Sequence, residues 1–160
     1  MNRSDLHHEA GIVAAADAAA GWRRQLGELA LACAGSFPAE EAQRLHELRR
    51  LLAEAPAGVL IRGLCVLDAD RLDQQIAAGA AASAALAMLG EECGYLLSRG
   101  AGGQHLASVI LPGAAEEASA SGDTLALALV GALVLALAEI DALEPRRVER
   151  RSPGRASRLN

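Results

Sequence analysis

The feature that most constrains the fold is an apolar stretch near the C-terminus, Thr124 to Leu143. Between residues 125 and 138 it carries no polar side chain. On a helix its leucines point in all directions, so a single neighbouring helix cannot shield it from water. We therefore predict a central, all-round apolar C-terminal helix, covered by the rest of the chain or by a second subunit.

The composition favours helices around this stretch. Apolar residues make up 52% of the 160 residues but aromatic residues only 2%, and alanine and leucine supply most of the apolar mass. Alanine and leucine favour helices, whereas strands are rich in β-branched and aromatic residues. We predict an all-α fold, a compact bundle of four to five helices that forms a single domain over residues 1–144.

Glycines and prolines divide the chain into these helices. We predict a first helix over about residues 4–33 and a second over 38–55, where leucines recur at helical spacing. A third is predicted over 71–98, ended by the glycines of 100–103. The segment 59–67 fits either a helix or a strand, and we favour a helix because no convincing partner strand is present.

Two sets of residues are predicted to form interaction surfaces. The first is a stripe of small residues at helical spacing, which lets another helix approach closely. It consists of Gly79, Ser83, Ala87, Gly90 and Gly94. The second set lies on the apolar C-terminal helix and consists of Leu129, Leu133 and Leu137.

The charge is distributed unevenly along the chain. The net charge is −5, yet from Pro145 onward six arginines face one acid, which leaves about −10 on residues 1–144. We predict a disordered, arginine-rich tail over 145–160. Nucleic-acid binding by the tail is not favoured, because the acidic body repels phosphates and the tail lacks stacking aromatics.

A membrane location is possible but not favoured. The uncharged run 124–138 has 15 residues, about 22 Å as a helix against a hydrocarbon core of about 30 Å. The three cysteines, Cys33, Cys65 and Cys93, form no CxxC pair, and no secretory signal pattern opens the chain. We therefore expect a cytoplasmic protein with free thiols.

The motifs of common catalytic sites are missing from the sequence. There is no phosphate-binding loop and no nucleophile elbow, and the absence of lysine excludes Schiff-base chemistry. The weak candidates for acid–base work are Glu91 and Glu92, with Tyr95 or His105 as a partner. No metal ligand set has suitable spacing, so we predict no metal and no cofactor.

These observations favour a non-catalytic protein that acts through protein–protein interaction, as a homo-oligomer or as an adaptor or accessory subunit. Its partner is predicted to be itself or another protein, bound through apolar helix faces. One alternative is an enzyme or small-ligand-binding bundle with a site near the glycines of 100–103. A second alternative is a membrane-associated helical hairpin.

Overall fold

The computed structural model describes the backbone of residues 3–56 and 63–140, and the side chains from residue 11 onward within those ranges. Four helices precede a group of strands in this part of the chain, and one helix follows it. The elements are α1 (Arg3–Gly35), a 3-10 turn (Pro38–Glu40), α2 (Glu41–Ala53), α3 (Ala69–Ala77), α4 (Ala81–Met88), β1 (Gly94–Arg99), β2 (His105–Ile110), β3 (Ala118–Gly122) and α5 (Leu125–Glu139).

The prediction of an all-α helical bundle is wrong, because the chain has a mixed α/β fold. The three described strands form an antiparallel sheet in the order β1-β2-β3. The pairing of β1 with β2 sets Tyr95 opposite Val109, and the pairing of β2 with β3 sets Ala107 opposite Ala120.

The predicted helix over 71–98 is replaced by two short helices and a strand. The Asp68 side chain caps α3 by accepting hydrogen bonds from the amides of residues 70 and 71. Gly79 then has a φ of +70°, a left-handed conformation that ends α3 and separates it from α4. After α4 the chain is extended, and β1 begins at Gly94. Breaks at glycine therefore divide a segment whose composition suits a continuous helix.

A tight hairpin joins β1 to β2. The Gly103 amide donates to the carbonyl of Gly100, and the Gly100 amide donates to the carbonyl of Gln104. Gly103 has a φ of +86°, as in the three-residue hairpin loop that ends in a left-handed residue. The glycines predicted to end a helix are therefore the loop of a hairpin.

Helix α5 occupies the centre of the molecule. The Thr124 hydroxyl caps its N-terminus by accepting a hydrogen bond from the Leu127 amide at 3.2 Å. Most of its side chains are buried, since α5 packs against α1 on one side and against β2 and β3 on another. Gly131 makes this close packing possible, because a Cβ at this position would lie only 3.0 Å from the Cβ of Ala120 in β3 and 3.7 Å from that of Cys33 in α1.

Helices α1 and α2 pack against each other and against α5. The buried side of α1 begins near Ala19, whereas residues 11–18 are all exposed, including Ile12 and Val13. The four leucines that α2 buries face α1, α4 and α5; they are Leu45, Leu48, Leu51 and Leu52.

Some sequence predictions lie outside the described residues. These are the arginine-rich tail over 145–160, the last residues of the apolar stretch, and residues 59–62 of the ambiguous segment 59–67. In the described end of that segment, Leu64 forms an isolated antiparallel bridge with Leu89. Across residues 3–56 and 63–140, no helix combines the length and the apolar character needed to cross a bilayer.

Candidate protein-interaction surface

The predicted interaction residues of the C-terminal helix lie in the hydrophobic core. Leu129, Leu133 and Leu137 are each at most 1% exposed. They contact the chain's own helices and sheet, because α5 is enclosed by α1, α2, α4, β2 and β3. A second copy could reach them only if the monomer opened. Their role in binding a partner stays a prediction, and the folded surface offers them no access.

The predicted small-residue stripe is spread over several elements. Gly79 forms the turn between α3 and α4, Ser83 is exposed on α4, and Ala87 is half-buried on the same helix. Gly90 follows α4, and Gly94 opens β1. The five residues therefore do not share one helix face.

Two of these glycines have a local packing role. The Gly90 amide donates to the Gly63 carbonyl, and a side chain at position 90 would collide with that carbonyl. Gly94 lies beneath the side chain of Ile110, its partner across the hairpin. Both glycines permit a close approach within the monomer.

The weak catalytic candidates do not converge on one point. Glu91 and Glu92 are both exposed in the turn before β1. Tyr95 and His105 share a sheet face, but His105 is paired with Arg99, four residues along β1 from Tyr95. At the rise of a strand this separates them by about 13 Å. In the described part of the chain, no group of three or more histidine, cysteine, aspartate or glutamate residues could hold a metal ion.

The cysteine nearest to this region is held in a protected environment. The Cys93 thiol donates a hydrogen bond to the Gly63 carbonyl at 3.2 Å. Burial raises the pKa of this thiol, more than its backbone hydrogen bond with Gly90 lowers it. Cys93 therefore stays protonated near neutral pH and is a poor nucleophile.

The most distinctive surface is the free edge of β1. Within residues 3–56 and 63–140, β1 pairs only with β2. Hydrogen-bonded and non-bonded pairs alternate along an antiparallel ladder. Since the Gly100 amide bonds to Gln104, the backbone groups of Tyr95, Leu97 and Arg99 point away from β2. Among the described residues, no backbone group pairs with the amides and carbonyls of these three residues along the edge.

Large apolar side chains surround this edge. Tyr95 is 54% exposed on the sheet face that carries α5, and Leu96 is 63% exposed on the opposite, outer face. On β2, Leu106 is 44% exposed and Ile110 is 37% exposed. These two flank Ser108, the partner of Leu96, so Leu96, Leu106 and Ile110 form one apolar patch on the outer face.

The opposite edge of the sheet has a different character. Strand β3 consists of alanine, serine and glycine only, and α5 and α1 pack against it. On the outer face, Ser119 bonds to Ser108 through their hydroxyls at 2.6 Å. β3 therefore presents no large exposed apolar side chain, whereas β1 presents two.

Sequence reasoning named Tyr95 but missed Leu96, Leu97, Leu106 and Ile110. A signal for them exists, because two short apolar runs flank the glycine-rich segment 100–103. Two such runs joined by three to five residues with glycine are typical of a β-hairpin. The helix assignment over 71–98 hid this pattern.

Comparisons with known proteins identify no similar protein. No protein-family model matches the chain, and neither a curated protein nor a solved structure shows a significant match.

Proposed function

We propose that the chain functions through protein–protein interaction, and that the free edge of β1 is its binding surface. The observation that supports this proposal most strongly is that outward-facing backbone groups along β1 are combined with the exposed side chains of Tyr95 and Leu96. Proteins commonly blunt an exposed strand edge with proline, inward-pointing charges or a covering element. The interior of β1, Tyr95 to Ser98, contains neither proline nor a charged residue.

An extended segment of a partner would suit this edge. In strand addition, main-chain hydrogen bonds supply affinity, and the alternating side chains supply specificity. Here the outward backbone groups of Tyr95, Leu97 and Arg99 offer the hydrogen bonds. Tyr95 and Leu96 point to opposite faces and offer apolar contacts on both sides of an added strand.

An enzymatic function has weaker support. The exposed pair Glu91 and Glu92 lies in solvent, and Tyr95 and His105 are far apart along the sheet. A carboxylate for acid–base catalysis needs a partner within hydrogen-bond reach of the reacting proton. The site suggested near the glycines of 100–103 is a hairpin turn, which leaves binding of a protein as the function that the geometry favours.

We also propose that the protein acts in the cytoplasm. Cys33, Cys65 and Cys93 all lie in the described part of the chain, and none of them is in a disulfide. Free thiols are typical of reducing compartments.

Photo-crosslinking in cells tests the binding surface. A photoreactive amino acid replaces Leu96, and the matched control replaces Leu31, an apolar residue of α1 that is 78% exposed. We expect adducts of discrete mass from position 96 and none from position 31. Adducts should disappear when Leu97→Pro is added, because proline removes an outward amide donor. No adduct at position 96, or equal labelling at both positions, would refute the proposal.

A further inference from the structure

We propose that the strand added to β1 is β1 of a second copy, and that the two strands pair antiparallel about a two-fold axis at Leu97. This inference rests on the proposed function and names the partner of the same surface. A symmetric dimer needs one self-complementary patch. The backbone and side chains of β1 (Gly94–Arg99) provide such a patch.

The backbone groups select the register. Hydrogen-bonded pairs between two edges form where outward-facing residues lie opposite each other. With the axis at Leu97, this residue pairs with its own copy, and Tyr95 pairs with Arg99 of the second copy on either side. All three outward residues of β1 are then used on both strands.

The neighbouring register is poorer. With the axis at Leu96, Tyr95 pairs with Leu97 of the second copy, but Arg99 lies opposite Cys93. Cys93 precedes the strand, is buried, and is held on the Gly63 carbonyl. The ladder would then use two outward residues instead of three.

The side chains fit the register at Leu97. Tyr95 and Arg99 are both exposed and lie on the same sheet face. Residues opposite each other in a hydrogen-bonded pair have Cα atoms about 5.5 Å apart, within reach of a cation–π contact between tyrosine and arginine. This register also keeps the two positively charged Arg99 side chains apart, because each lies opposite Tyr95 of the other copy.

Such a dimer has a definite shape. A two-fold axis perpendicular to the sheet keeps equivalent faces on the same side, so two three-stranded sheets join into one of six strands. Both α5 helices then lie on one face. The outer patch formed by Leu96, Leu106 and Ile110 continues across the axis on the other face.

The oligomeric state is the first test. Light scattering after size-exclusion chromatography should give a dimer for the purified full chain at micromolar concentration. Leu97→Pro removes an amide that points away from β2, so the hairpin keeps its own ladder. Because two symmetry-related hydrogen bonds are lost, we expect the dimer dissociation constant to rise about 30-fold or more. Leu97→Ala keeps the amide and serves as the control that remains dimeric.

Charge exchange tests the register. Tyr95→Arg places two arginines opposite each other and should weaken the dimer about tenfold. Adding Arg99→Glu to that variant sets the new arginine opposite the new glutamate of the second copy and should restore dimerisation. Circular dichroism on each variant checks that the fold is retained.

The outcomes separate this inference from the proposed function. A monomeric wild type overturns self-pairing, and adducts to other proteins at position 96 would then still support the binding surface. A dimer that survives Leu97→Pro, or that the double charge exchange fails to restore, overturns the register. A monomeric wild type without any adduct at position 96 overturns both proposals.

Discussion

The indole nitrogen of Trp22 donates a hydrogen bond to the backbone carbonyl of Leu51 at 2.8 Å, and both residues are buried. Leu51 lies in the last turn of α2 (Glu41–Ala53). The final carbonyls of a helix have no amide of their own helix to accept from. The single tryptophan, in the middle of α1, therefore supplies a hydrogen-bond donor to a carbonyl at the C-terminal end of α2.

Replacing this tryptophan should destabilise the protein. Trp22→Phe leaves the Leu51 carbonyl buried without its donor and removes part of the packed ring, which together should cost roughly 2–3 kcal/mol. Chemical denaturation followed by circular dichroism measures the loss, since the variant has no tryptophan fluorescence. Arg50→Ala is the control, because its exposed ion pair with Glu54 at 2.6 Å should contribute less than about 1 kcal/mol. Equal losses in the two variants would contradict this role of Trp22.

Two glycine-to-alanine substitutions should change stability in opposite directions. A Cβ at Gly90 would collide with the Gly63 carbonyl oxygen, so Gly90→Ala should cost about 2–3 kcal/mol as the two segments are forced apart. Gly27 lies within α1 with open space around it. Gly27→Ala should therefore stabilise the protein by about 0.5–1 kcal/mol through helix propensity. Thermal unfolding measures the change in stability of each variant relative to the wild type. A change of the same sign in both variants would contradict this prediction.

The spacing of apolar residues predicted α2 and α5, because the local sequence of each already favours a helix. The leucines of α2 recur at helical spacing, and the uninterrupted apolar run of α5 covers every face of a helix. The sheet could not be predicted in this way. Strand β3, Ala118–Gly122, contains no β-branched or aromatic residue. It is a strand because α5 packs closely on it, with Gly122 against Leu127, and such tertiary contacts override propensity.

The proposed binding surface was not predicted from the sequence for a related reason. The small residues from Gly79 to Gly94 would form a stripe only on one continuous helix. The left-handed conformation of Gly79 interrupts that helix. Tyr95 was singled out as a chemical group beside the Glu91 pair. In the structure, Tyr95 is important because it lies on an edge strand. The sequence indicates that strand only through the hairpin pattern around residues 100–103.

The three thiols should differ sharply in reactivity. Cys65 is exposed, whereas Cys33 and Cys93 are buried, and burial raises the pKa of both buried thiols. Since the thiolate is the reactive form, a disulfide reagent at neutral pH should modify one thiol quickly in the folded protein and all three after denaturation. Cys65→Ser should abolish the fast phase. A fast phase that survives this substitution would show that a buried cysteine is accessible.

Burial of Cys33 should also make stability depend on pH. Burial raises the pKa of this thiol from its ordinary value of 9.0 to about 12, and the opposing effect of Arg44 is smaller. The unfolded thiol ionises above about pH 9 while the folded one stays neutral, so its contribution to stability is complete well below about pH 9 and is lost as the pH rises toward about 12.

The difference in unfolding free energy between the wild type and Cys33→Ala isolates this effect from other titrating groups. We expect that difference to shrink by about 1.4 kcal/mol between about pH 8 and about pH 10. Urea denaturation of both proteins at the two pH values measures it, with the protein kept reduced. A difference that stays constant over this range would mean that Cys33 ionises equally easily in the folded and unfolded states, contrary to its burial on the side of α1 that packs against α5.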